Sequence, residues 1–221
     1  MVRSTARAGP AKRRQPPDPR RKPRGRYHHG DLRRALLEAA VRTIDAEGVE
    51  RLTLRGVGAT LGVSRTALYR HFADKSALLA EVAREGFRTL RLQLLEASRA
   101  QGGGRAGFEA MSQAYVRFAV SHPAHYRVMF GGILGADAHA ANPGLAEEGA
   151  GAFGALVDAL VSLQQAGLVR RDDPLQLALF IWSVVHGVSM LAIDGRLSRH
   201  GRVEDLVRFA ADRIRTGIAA S

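Results

Sequence analysis

After residue 30 the apolar residues of this chain recur almost everywhere at the three-and-four spacing of a helix face, and strict alternation appears almost nowhere. A chain patterned in this way buries its apolar residues along helical stripes. The expected fold class is therefore all-α, with about nine helices. At 221 residues with 46% apolar content, it can hold one compact body or a small domain beside a larger one.

The punctuation divides the pattern. Asp31 can cap a helix running to about Glu47, with Leu32, Leu36, Ala39, Ala40 and Ile44 on one face and Gly48 just past its end. Thr53 caps the short segment "LRGVGATLG", Ser64 caps "RTALYRHF", and Asp74 caps a long helix from Lys75 to about Ala100. "QGGGRAG" (101–107) breaks the pattern. Helices are expected from Phe108 to Ser121, from Pro123 through "AHYRVMFGGIL", and from about Leu145 to Ala166. The 175–193 run follows Asp173-Pro174, and a final helix covers about Val203 to Ala219. The 175–193 run is apolar on all sides, yet it contains Gln176, Ser183, His186 and Ser189 and has acids at both ends. It reads as a helix buried twice, against its own domain and against a second copy, rather than as a membrane span.

Charge is uneven. Residues 1–26 hold ten Arg or Lys against Asp18, which leaves only +3 of the net +12 for the other 195 residues. That stretch is rich in Pro and Arg and lacks helical periodicity, so it is expected to be a disordered basic tail, either solvated or resting on nucleic-acid phosphates. It lacks the apolar block of a secretory signal. The chain has no Cys, which excludes disulfides, iron–sulfur clusters and thiol catalysis and suits a reducing cytoplasm.

The segment from Thr53 to Lys75 carries the chemistry. Two helices of about two turns, joined by a tight turn at Gly62, have the geometry of a helix-turn-helix, whose second helix enters the DNA major groove. Leu54, Val57 and Leu61 form the inner stripe of the first helix, and Leu68 and Phe72 that of the second. Thr66 and Arg70 fall on the opposite side, with Ala67 and His71 flanking, and Arg65 lies in the first turn. Arg suits guanine O6/N7, and Thr can bond a base or pack on a thymine methyl. The Tyr69 hydroxyl can reach a phosphate. A phosphate beside the next helix would explain a cation, Lys75, at a helix start.

The residues "LTLRGVGATLGVSRTALYRHFADKSALL" (52–79), above all Gly62-Val63-Ser64, Leu68-Tyr69-x-His71-Phe72 and Lys75-x-x-Leu78, resemble the DNA-binding domain of the TetR family of bacterial transcriptional regulators. The resemblance implies a homodimer with an N-terminal three-helix head (27–80) and a C-terminal helical body for ligand binding and dimerisation (81–221). It implies that Arg55, Arg65, Thr66 and Ala67 approach bases, and that Thr53, Tyr69, His71 and Lys75 approach phosphates; Ser64 and Arg70 complete the surface. The partners implied are a double-stranded operator and a small-molecule effector. Gly56 and Gly58 depart from a good short helix, by up to ~1 kcal/mol each relative to Ala. Thr66 stands where the family often has Gly. "HPAHYRVMF" (122–130) and "WSVVHG" (182–187) resemble the body of a subgroup with a Trp-His-Gly signature.

In the body, Phe108, Met111, Tyr115, Phe118, Tyr126, Met129, Phe130, Trp182, His186 and Met190 are candidates for an apolar pocket with one polar anchor. "GGGRAG" (102–107) fits G-x-G-x-x-G, but it lacks a βαβ context. His122 and His125 lie three apart without further ligands beside them. No catalytic constellation, metal site or cofactor is expected. The function expected is that of a cytoplasmic repressor released by a small ligand. The alternatives are a non-specific nucleic-acid-coating protein using the tail, and an enzyme with a vestigial head.

Overall fold

The computed structural model describes residues 29–135 and 138–219. The basic tail and His28 lie outside the described residues. The all-α expectation holds: ten helical segments are described, and the extended pairing is a single bridge between Val169 and Ala219.

Helix α1 (His29–Glu47) starts two residues before Asp31, which therefore sits in the first turn, a position where an acid also suits the helix dipole. Thr53 caps α2 (Leu54–Thr60) by accepting from the Gly56 amide, and Ser64 caps α3 (Arg65–Tyr69) by accepting from the Ala67 amide. Gly58 has a packing reason that composition alone hides. A methyl there would lie 3.1 Å from Leu68 Cδ2, so α2 and α3 meet at this position. Gly62 turns the chain between them at φ +64, a conformation side-chain-bearing residues rarely adopt.

Helix α3 ends at Tyr69 rather than Phe72. The His71 amide bonds Leu68 O, a tighter three-residue turn. That turn brings Phe72 into the core, where it is buried and the Arg33 guanidinium of α1 lies 5.2 Å from its ring centroid.

Helix α4 (Lys75–Ala100), capped by Asp74, is 26 residues long, or about 39 Å at 1.5 Å per residue. It packs on α1 at one end and on α5 (Gly104–Ser121), α6 (Pro123–Phe130) and α8 (Pro143–Gln165) further along. α5 begins four residues earlier than its apolar pattern suggests, because Arg105 anchors the first turn to Leu168 O at 2.9 Å. α7 (Ala138–Ala141) is a single turn between α6 and α8. α9 (Pro174–Ile193) and α10 (Val203–Ile218) complete the body. α9 is long and apolar enough to cross a bilayer, with mean hydropathy 1.8. Here one of its faces packs against α5, α8 and α10.

An ion cluster joins α1 to α4. Arg33 donates to Glu81 at 2.9 Å, and Arg84 donates to the same carboxylate. Burial alone would raise the Glu81 carboxyl, but the hydrogen bonds from Arg33 and Arg84 overcome it and hold the group down at about 2. A depressed carboxylate contributes stability that is complete above about pH 4.5 and is lost as pH falls toward 2. Solvent around the half-exposed arginines screens the cluster, so its realised contribution is ~1–2 kcal/mol. Glu81→Gln should lower the neutral-pH melting temperature and flatten the acid limb of stability between pH 4.5 and 2. Thermal denaturation across pH checks this; parallel curves for the two proteins would contradict it.

Candidate functional site

The helix-turn-helix presents a continuous cationic face. Thr53, Arg55, Ser64, Arg65, Thr66, Tyr69 and Arg70 are exposed, Ala67 and His71 are half-buried, and Leu68 faces the core. Between residues 51 and 72 there is no acid. Among the described residues Arg55, Arg65 and Arg70 make no ion pair, whereas Arg84, Arg91 and Arg99 each have one. A surface that concentrates cations while supplying no counter-charge suits a polyanion. Tyr69 is 48% exposed although it is aromatic, which leaves its ring and hydroxyl available together.

Lys75 already has a partner within the protein. Its Nζ, at the start of α4, donates to Val49 O at 2.8 Å. It satisfies a carbonyl just past the end of α1 and ties α4 to that turn. The side chain keeps two further donors.

The body holds a cavity of about 410 Å³ between α4, α5, α6, α8 and α9. Met111, Tyr115, Met129, Phe130 and Trp182 line it, as the aromatic and methionine content suggests. The other five candidates lie elsewhere. Phe108 points into a separate cluster with Leu160, Leu163, Ile214 and Ile218, because it sits one turn before Met111, where α5 meets α10. Phe118 is fully buried and stacks on His122 at 4.9 Å. Met190 packs half-buried against the main core, two turns beyond Trp182. Tyr126 and His186 stand behind the cavity wall in a hydrogen-bonded relay.

That relay is continuous. Trp182 Nε1 donates to the Tyr115 hydroxyl at 3.0 Å, the Tyr115 and Tyr126 hydroxyls are 3.0 Å apart, and the Tyr126 hydroxyl is 2.7 Å from His186 Nδ1. Burial lowers the His186 imidazole, which favours its neutral form. Burial also drives Tyr115 far up, reinforced by Tyr126. It pushes Tyr126 up to about 12 against the hydrogen bonds from Tyr115 and Ser189. The network is therefore uncharged and internally satisfied, and among the described residues no buried side-chain polar atom lacks a partner.

Sequence reasoning missed the contribution of α4. Phe87, Leu90 and Leu94 line the cavity from the same helix that starts under the head. Their periodicity was legible, but it does not say which side of a helix meets a void. The small residues Gly149, Ala150 and Ala152 on α8 leave the space itself. A second tie runs from head to body: Asp45 of α1 accepts from the Ala124 amide in the first turn of α6 at 3.1 Å. Asp45→Ala should cost about 1 kcal/mol of stability, the usual value of a lost cap. Urea denaturation checks it; an unchanged midpoint would show that the bond contributes nothing.

A head that presents a cationic helix without ion pairs among the described residues, joined by one long helix to a body with an apolar cavity, defines a helix-turn-helix protein of two parts. Residues 36–82 match the family model for bacterial regulatory proteins of the tetR family, and residues 108–214 match the tetracyclin repressor-like C-terminal domain. The chain belongs to the TetR family. It is 38% identical over 88 residues to the HTH-type transcriptional repressor DrrR1 of Streptomyces coeruleorubidus, an alignment covering 40% of this chain and 32% of the relative. With an uncharacterised HTH-type transcriptional regulator of Mycobacterium tuberculosis the identity is 28% over 170 residues, 74% of this chain and 71% of the relative. The chain covers a third to a half of the first curated relatives it matches, 32% and 50%. A solved protein of unknown function from Rhodococcus superposes with TM-score 0.79 at 34% identity, covering 88% of this chain and 99% of the other.

Proposed function

We propose that this protein is a cytoplasmic, dimeric repressor whose hold on operator DNA is released by a small molecule bound in the body. The observation that carries the reading is α4: its first turn bonds Val49 within the head, and its middle forms a wall of the cavity. A ligand that favours one position of Phe87, Leu90 and Leu94 acts on the helix that sets where the head lies. Two heads must meet half-sites about one helical turn apart, so a shift of that helix changes which spacing the dimer fits. In this reading residues 27–80 act as the DNA-binding head and 81–221 as the ligand-binding and dimerising body, with the division inside α4. Arg55, Arg65, Thr66 and Ala67 face bases. Thr53, Tyr69 and His71 face phosphates, with Ser64 and Arg70 beside them, and Lys75 uses its remaining donors there. We read the body as one of the Trp-His-Gly subgroup, a reading that the pattern of Trp182, His186 and Gly187 supports.

The dimer forms through the outer face of α9. Leu175, Phe180 and Leu191 are exposed there, a methyl added at Gly187 would meet open space, and Phe209 of α10 is 61% exposed. Trp182 is the only Trp in the chain and stands in the cavity wall, so its emission reports occupancy. A ligand found by thermal-shift screening should change Trp182 emission and weaken operator binding. Linkage then requires operator DNA to weaken that ligand by the same factor. A ligand that changes Trp182 emission and leaves operator affinity unchanged would refute release by this site.

A further inference from the structure

The cavity wall contains no charged side chain. Its polar members are Ser112, Tyr115 and Trp182, and the rest is hydrocarbon and aromatic surface. The nearest ion pair along α8, Arg91 with Glu148, is closed on itself, with Arg91 Nε and Nη2 both bonding Glu148 Oε2 at 3.1 and 3.0 Å. An anion in the cavity would find no cation to pair with, and a cation would find no carboxylate. The aromatic faces of Phe130 and Trp182 attract cations, but that attraction is small beside the loss of an ion's hydration.

The relay adds a second constraint. Trp182 can only donate, so Tyr115 accepts from it. With His186 Nδ1 unprotonated, Tyr126 donates to His186 and Tyr115 donates to Tyr126, which leaves the Tyr115 oxygen as an acceptor for a ligand hydroxyl. With the proton on Nδ1 the chain of donors reverses, and the Tyr115 O–H becomes free for a ligand carbonyl. Either polarity is met without creating a charge. Ser112 offers a further hydroxyl, since its bond to Phe108 O is long at 3.4 Å.

We propose that the effector of this cavity is an uncharged, predominantly hydrocarbon molecule carrying one neutral oxygen function, which is bound at Ser112 and the Tyr115–Trp182 pair. A volume of about 410 Å³ falls in the range of drug-sized ligand sites. The inference rests on the reading of the cavity as the effector site. It excludes fatty carboxylates, acyl-phosphates and lipophilic cations as tight ligands. Ala150 of α8 is exposed and lines the cavity, which places the ligand's entrance at that helix.

The test uses the full chain and two sets of probes matched in carbon skeleton. One is decan-1-ol, decanoate and decylammonium. The other is 4-phenylphenol, biphenyl-4-carboxylate and biphenyl-4-methylammonium. Binding is followed at neutral pH by calorimetry and Trp182 emission. At least one neutral member should bind, at least tenfold tighter than both of its ions. Ala150→Trp, at an exposed position that folding does not depend on, should weaken the neutral probe at least tenfold, and the internal substitution Ala152→Phe should do the same. An ion that binds as tightly as its neutral counterpart overturns the proposal. So does failure of both neutral probes to bind, or their binding unchanged in Ala150→Trp. A separate measurement of operator affinity distinguishes the two claims. Neutral probes that bind in the cavity without weakening the operator complex refute the effector reading and leave the ligand class standing. Ions that bind and release the operator refute the class and leave the reading standing.

Discussion

Phe180→Glu should convert the dimer to a monomer and lower operator affinity at least 100-fold. Phe180 is 53% exposed on one protomer and lies on the outer face of α9, about two turns from Gly187 and three from Leu191. Two copies meeting there would bury these apolar surfaces, and a carboxylate in that seam would face its own symmetry mate without a counter-charge. Losing the dimer removes the second head. A linked pair of heads gains roughly 10²–10⁴ over one head, because the second binding step becomes intramolecular. The substitution should leave helicity unchanged, since Phe180 is outside the protomer core. Sedimentation reads the oligomeric state, and fluorescence anisotropy with labelled operator reads affinity. A variant that remains dimeric would move the interface elsewhere, with Phe209→Glu on α10 the next substitution to make. A monomer with unaltered operator affinity would refute the two-headed mechanism.

Arg65→Ala should weaken the operator complex by about 1–3 kcal/mol, or roughly 5- to 150-fold, with the loss concentrated on the cognate sequence. Arg65 sits in the first turn of α3, exposed and without an ion pair among the described residues, on a face that lacks acids. Nothing in the fold occupies it, so the substitution should leave thermal stability nearly unchanged. Arg99→Ala is the comparison, since Arg99 pairs with Glu96 at the far end of α4 and should not alter operator binding. If Arg65 contacts a phosphate instead, the loss will be equal on cognate and scrambled duplexes, and the slope of log K against log salt will decrease in size by about 1. No loss on either duplex would remove Arg65 from the interface.

The sequence by itself determined the element types and the reading helix. The caps at Thr53, Ser64 and Asp74 locate three helix starts because a short polar side chain before a helix satisfies an otherwise free amide, and this is a local event. That Leu68 faces inward while Arg65 and Thr66 face outward is likewise local, since one turn of helix fixes which residues share a side. Tertiary structure decided the rest. Lys75 reads in the sequence as a phosphate contact, and only the fold shows that its Nζ bonds a carbonyl 26 residues away. Phe108 and Met111 look alike on α5, yet they face different clusters, because α10 covers one and the cavity borders the other. Aromatic and methionine content marked five cavity residues, but Phe87, Leu90 and Leu94 on α4 came only from the packing of five helices around a common space. Periodicity tells a residue which side of its own helix it occupies. Whether that side meets another helix, a void or a second copy depends on the angles at which distant segments cross, and no local pattern carries those angles.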